Sequence, residues 1–364
     1  MDRILGQPHA IRTLQSALDS GRVHHAWIFH GPRGVGKFTT ARAFAAILLD
    51  PDARSDADGH LRSDPEGRVA QLVARDAHPD LHIIRKELAL FSSNSEVRSR
   101  KLTNIPFDVL REFMIGGFVG ETHVPSRAFS TARMGRGKVF IIEEAELLDQ
   151  YGQNALLKTL EEPPPGTYII LLTTQESDLL PTIRSRCQRV AFSPLDPVAM
   201  RTWFERAGLA VNADHRAWLE RFADGSPGLV TLAVEDGLFE WWSTLSPVLR
   251  ELDRGSFPSD AGEMLAGFVD AYATAWVKKQ KHENPSKDAA NKSGAERVFM
   301  LLAFHARQGL HAALDHGEPP DHWLRVIDLV RDADRALNAN VNLKMVFEAL
   351  AARWADPADV GAVA

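Results

Sequence analysis

The sequence predicts an α/β domain built on a parallel sheet with flanking helices, followed by an all-helical region. Three observations carry this. In the first half, short apolar runs alternate with helix-like stretches, as when strands return to a parallel sheet through crossover helices. The runs are bounded by turn chemistry: GPRGVG follows the first, MGRG precedes the third and EEPPPG precedes the fourth. From about Phe192 onward the apolar runs stop, and helical periodicity takes over past Pro194 and Pro197.

In chain order, strands are predicted over residues 26–30, 81–84, 138–142 and 168–173, each apolar enough to be buried on both faces of a sheet. A helix is predicted from near Lys37, directly after the first glycine-rich turn. Residues 50–67, rich in Asp, Pro, Gly and Ser, read as a mobile surface loop. So do residues 278–294, with five lysines against two acids. In the last helix Leu343, Val346, Phe347, Leu350, Ala351 and Trp354 recur at helical spacing and make one apolar face. That face is read as packing against neighbouring helices or as a subunit contact, the first being preferred.

A chain of 364 residues exceeds one compact core and implies two or three domains. The charge, 42 basic against 48 acidic residues, is −6, so no bulk positive field holds nucleic acid and any DNA contact needs a local basic strip. The single cysteine, Cys187, excludes an internal disulfide and a cysteine-rich zinc site and fits a reducing compartment. No stretch approaches the ~20 apolar residues of a membrane span, and MDRILGQPHA lacks a signal-peptide core. A cytoplasmic protein is expected, with no membrane partner.

The segment GPRGVGKF, residues 31–38, joins a strand to a helix N-terminus. Backbone N–H groups around Gly31, Gly34 and Gly36 and the helix dipole can there surround an anion, with Lys37 reaching the phosphates of a nucleotide. Phe38 occupies the position where a hydroxyl would hold magnesium. Thr39 is adjacent, but one residue turns a helical side chain by about 100°, so it is a poor substitute. Downstream, KVFIIEEAELL ends a strand in an acidic pair, Glu143 and Glu144, where a metal-holding Asp and a water-activating Glu sit in hydrolases of this type. Glu143 is one methylene too long for the first role. Both metal-holding positions are altered, so lost hydrolysis with retained nucleotide binding is one reading, and a loop kept for its fold is the other. His78 and His82 have the i, i+4 spacing of a helical metal site, but HPD reads as a turn entering a strand, and both are taken as structural.

These segments, in this order, resemble the clamp-loader branch of the AAA+ ATPases, within it the delta-prime subunits of bacterial DNA polymerase III. The resemblance rests on residues 6–37, HPDLHII (78–84), KVFIIEEAELL (138–148), QNALLKTLEEPPPGTYIILLTT (153–174) and LLPTIRSRCQRVAF (179–192), with LNANVNLKMVFEAL (337–350) at the end. It implies an AAA+ core over residues 1–192, a helical lid over 193–237 and a helical collar for oligomerisation over 238–364. It implies that Arg186 of SRC is a finger acting in trans on a neighbour's nucleotide, where a guanidinium stabilises developing phosphate charge. Thr174 aligns with the position that reads the third phosphate, and Lys158 is a candidate DNA contact, with a solvated helix lysine the preferred reading. In GSPG (225–228) no arginine stands where motor subunits carry a second nucleotide sensor, and residues 50–77 lack the cysteines of the family's zinc module, so zinc is not expected. ATP or ADP is held weakly or not at all. The partners implied are the clamp-loader motor and delta-type subunits, the sliding clamp and, through the complex, primer-template DNA. A hydrolysing motor subunit or paralogue, and a free-standing nucleotide-binding regulator, are the alternatives.

Overall fold

The computed structural model describes residues 4–99, 103–134, 136–279, 287–339 and 341–356. Its centre is a five-stranded, all-parallel sheet made by β1 (Ala26–His30), β2 (Leu81–Ile84), β3 (Lys138–Ile142), β4 (Thr167–Thr173) and β5 (Gln188–Ala191), in spatial order β2-β3-β4-β1-β5. The order puts β1 beside β4, although three crossovers separate them in sequence. The four predicted strands are present, the fourth beginning at Thr167. The fifth had no apolar run to announce it, because only Val190 of QRVA is buried and the strand lies at the sheet edge.

Alternation along the strands feeds two cores. Trp27 and Phe29 of β1 point to one face with Val139, Ile141, Ile170 and Leu172, under α1 (Pro8–Asp19) and α2 (Lys37–Leu49). Ala26 and Ile28 point to the other with Phe140, Ile142, Ile169 and Leu171. There they meet Leu156 and Leu160 of the helix Gln150–Glu161. Covering both faces leaves the carboxyl ends of the strands as the open rim where loops can build a site.

Two expected loops are corrected. Residues 50–67 contain a small antiparallel pair, Arg54–Ser55 with Leu61–Arg62, held to the body by Asp19, which accepts from Leu61 N at 2.9 Å and meets His60 Nδ1 at 2.7 Å. Polar residues that read as solvated loop are here spent on hydrogen bonds: Asp50 is buried and accepts from Ser63 Oγ, and Asp56 accepts from the amides of Asp58 and His60. Residues 278–294 are helical at both ends, in Ala261–Lys279 and Lys287–His316. Buried Ala290 and Gly294 explain the second end; a Cβ on Gly294 would sit 3.2 Å from Tyr272 and Val269. The part at 280–286 lies outside the described residues.

The chain forms two compact units, residues 1–213 with 223–231, and residues 214–222 with 232–364. The helices Pro197–Ala207 and the start of Pro227–Glu235 therefore belong to the sheet unit. The second unit is helical: Leu238–Asp253, Ala261–Lys279, Lys287–His316, Asp321–Asn338 and Leu343–Ala355. Its last helix buries Val346, Phe347, Leu350, Ala351 and Trp354, so the apolar stripe is core of this unit. At its centre Asp253 Oδ2 meets His305 Nε2 at 2.8 Å, while its Oδ1 accepts from Trp354 Nε1 at 3.0 Å and meets His322 Nε2 at 3.3 Å. One carboxylate thus ties four helices together. Burial pulls its pKa up, but the hydrogen bond and charge of His305, with Trp354 and His322, outweigh this and hold it below its ordinary value.

Candidate nucleotide site

A cavity of about 660 Å³ opens at the carboxyl rim of the sheet. It is bordered by the glycine loop, Arg85 and Lys86 past β2, Glu143, Glu144 and Glu146 past β3, Thr174 past β4, and Pro227, Gly228 and Thr231. The loop needs its glycines for different reasons. Gly31 has φ +141°, and a Cβ there would meet the Phe192 carbonyl. Gly34, at φ +76°, lies under Ser226 and Gly228. Gly36 caps α2 at φ +103° with nothing within 4 Å of a Cβ, which leaves open space in front of the helix N-terminus. That cradle fits a phosphate group.

Lys37 lies at its floor, 8% exposed, with Nζ donating to the carbonyls of Gly31 at 2.5 Å and Pro32 at 2.6 Å. Burial pushes its pKa down to about 8; Glu146 opposes the shift and Arg33 adds to it. Phe38 borders the cavity and packs in part against the hydrophobic core, with the Arg42 guanidinium 5.5 Å from the ring centroid. Thr39 borders the cavity too. Thr40 is fully buried, with a hydroxyl that has no hydrogen-bond partner.

The acidic pair is balanced by two cations that sequence reading passed over. Glu143 N donates to Ile84 O, which registers the two strand ends, and Arg85 Nε stands 3.8 Å from Glu143 Oε1. That oxygen is buried without a hydrogen-bond partner, and burial raises the carboxyl's pKa against the pull of Arg85. Glu144 pairs with Lys86 at 2.9 Å and sits in left-handed backbone, φ +47°, a conformation costing about 1–3 kcal/mol in a non-glycine residue. The charged pair RK closing HPDLHIIRK was the available signal. Glu146 is a second omission: its Oε1 accepts from both Thr174 Oγ1, at 2.7 Å, and Thr174 N, at 3.0 Å.

Residues 226–228 meet the loop through backbone groups and one hydroxyl. Gly228 N donates to Gly34 O at 2.9 Å, Ser226 Oγ donates to Arg33 O at 2.8 Å, and a Cβ on Gly228 would stand 2.6 Å from Gly34 Cα. A side chain at residue 228 displaces the loop.

Arg186 lies away from this cavity, after β4, in the loop leading to β5. Its Nη2 is 2.7 Å from Glu161 Oε1 and its Nη1 donates to Thr182 O at 2.9 Å, with the side chain 35% exposed. The arginine has partners in its own chain. The cause is local: Glu161 ends a helix, where carbonyls and carboxylate together attract a guanidinium. Such an exposed pair is worth about 0–1 kcal/mol. Neighbouring Cys187 is partly buried, and that burial pushes its thiol up to about 12. Lys158 is exposed on the helix Gln150–Glu161. His78 lies in the turn before β2, and His82 lies on β2 stacked against Phe140 at 4.7 Å.

A parallel sheet of this order, with a glycine loop between β1 and α2, an acidic pair after β3 and a polar residue after β4, defines a P-loop fold of the AAA+ class. The chain belongs to the clamp-loader family: a family model described as DNA polymerase III, delta subunit, matches residues 6–196, more than half of the chain. It is 34% identical over 204 residues to the DNA polymerase III subunit delta' of Pseudomonas aeruginosa, covering 56% of this chain and 53% of that one. It is 33% identical over 241 residues to the subunit gamma/tau of Mycobacterium tuberculosis, covering 65% of this chain and 36% of that one, so it spans little more than a third of that relative's length. A solved structure of a gamma subunit-related protein from Thermotoga maritima aligns with 95% of this chain and all of that one at 16% identity, with a TM-score of 0.38. No helix among the described residues is long and apolar enough to cross a membrane.

Proposed function

We propose that this chain is a delta-prime-type subunit of a clamp loader, which does not hydrolyse ATP itself and supplies Arg186 in trans to a neighbouring motor subunit. The observation that carries the reading is Phe38: an aromatic side chain that borders the cavity and offers no oxygen stands where a hydroxyl would hold magnesium, in a loop otherwise built for phosphate. The direct docking of Gly228 on the loop supports it, since the lid has no room there for an arginine that reads the nucleotide. Residues 1–192 serve as the AAA+ core, 193–237 as the lid and 238–364 as the collar that joins the ring. The motor and delta-type subunits are its partners, and the assembly opens a sliding clamp and places it on primed DNA in the cytoplasm. Lys158 is a candidate phosphate contact on that DNA.

The test is co-purification with the host's clamp-loader motor subunit, followed by Arg186→Ala in the reconstituted complex. Assembly persists, the isolated chain hydrolyses ATP at background rate, and DNA-stimulated hydrolysis by the complex falls. A finger contributes about 10³–10⁵ at the site it serves, and the whole-complex loss is smaller because only one site of several depends on it. A variant that assembles and loads clamps at the wild-type rate overturns the finger. Turnover by the isolated chain that vanishes in Lys37→Ala makes it a motor instead, and a solitary monomer indifferent to clamp-loader subunits makes it a regulator.

A further inference from the structure

We propose that the Glu146 carboxylate stands in for a terminal phosphoryl group between Lys37 and Thr174, so that the cavity takes a nucleoside diphosphate and turns away the triphosphate. This rests on reading the cavity as a nucleotide site. Thr174 closes the rim at the end of β4, and both of its donors, hydroxyl and amide, converge on one oxygen of Glu146. A group that would hydrogen-bond a terminal phosphate oxygen is thereby already spent on an internal anion. The other oxygen, Glu146 Oε2, is buried and has no hydrogen-bond partner. Glu146 also provides the attraction felt by Lys37 across the cavity they both border. Its carboxylate thus hydrogen-bonds Thr174 and attracts Lys37, as a third phosphate would.

The neighbouring acids do not share this position. Glu143 stands beside Arg85 and Glu144 pairs with Lys86. A phosphoryl group brought against Glu146 would place like charges together in a partly desolvated pocket, where one must take up a proton or move out. A diphosphate escapes this conflict. Its phosphates can engage the loop amides in the open space before Gly36, and Lys37, without reaching Thr174.

The experiment is a calorimetric titration of the full chain with ADP and with ATP, for the wild type and for Glu146→Gln, which keeps the shape and an oxygen for Thr174 but removes the charge. The wild type binds ADP about tenfold or more tighter than ATP, and the variant gains about tenfold for ATP with ADP nearly unchanged. Equal wild-type affinities overturn the proposal, as does a folded variant that leaves the ratio where it was. The wild-type ratio needs no substitution, so a variant that fails to fold does not remove the test. If neither nucleotide binds either protein, the cavity is not a nucleotide site and the proposal falls with it. Membership of a clamp-loader assembly is read separately by co-purification and does not depend on this outcome.

Discussion

Lys37 shows how a single side chain couples fold to ligand. Its pKa of about 8, against an ordinary 10.5, means that the charged form is penalised by burial in the folded chain. The unfolded chain binds the extra proton between those two values, so the penalty is full below about pH 8 and is relieved as pH rises toward 10.5. A bound phosphate favours the charged form. Nucleotide binding near pH 8.5 is therefore accompanied by proton uptake, and affinity weakens as pH climbs above 8. Titration in buffers of different ionisation enthalpy measures the uptake, and binding without proton uptake would show that Lys37 does not meet the phosphates. Cys187 gives a second residue-scale prediction: with the thiol pushed up to about 12, native protein at neutral pH reacts slowly with iodoacetamide, and denatured protein reacts fast.

At the scale of elements, the glycine loop and the helix Pro227–Glu235 meet so closely that residue 228 has room for no side chain. Gly228 N donates to Gly34 O and the Ser226 hydroxyl to Arg33 O, and these two bonds fasten them. In an exposed helix Gly→Ala is favourable by about 0.5–1 kcal/mol, because alanine loses less backbone entropy. Gly228→Ala reverses that sign, since the new methyl would press on Gly34 Cα, and it costs about 1–3 kcal/mol in urea unfolding. Gly267→Ala, in a helix with nothing within 4 Å of the new atom, serves as the control and stabilises. Equal effects at the two positions would mean that residue 228 does not rest on the loop.

For the whole molecule, the helical unit stands on the Asp253 hub and on its last helix. Asp253→Ala strands His305, His322 and Trp354 in a partly buried setting and costs about 2–4 kcal/mol in thermal or urea unfolding. Because the folded carboxyl is held below 3.8, its contribution is present above the unfolded value and is lost as pH falls through the lower folded one. An Asp253→Ala protein as stable as wild type at pH 7 would remove the hub. Deleting residues from 338 onward strips Phe347, Leu350 and Trp354 from the core, about 1.5–3 kcal/mol each, and abolishes assembly with other subunits. A folded truncation that still assembles would take the collar role away from this helix.

What the sequence by itself determined was whatever is written locally. The four apolar strands, the loop with Lys37, the switch to helix after Phe192 and the stripe ending at Trp354 each follow from turn residues or periodicity within a short window. The misses share one cause, which is that their partners are distant in sequence. Gln188–Ala191 is a strand because β1 offers it an edge, and residues 50–67 fold because Asp19 and a buried Asp50 take up their polar groups. Arg85 and Lys86 face the acidic pair only because β2 lies beside β3. Glu146 reaches Thr174 across 28 positions, and Gly228 reaches Gly34 across nearly two hundred, because parallel strands bring their carboxyl ends to one rim. Propensity and periodicity act over a few residues, whereas the charge and closure of this site are set by which strand ends and helix termini the sheet order places side by side.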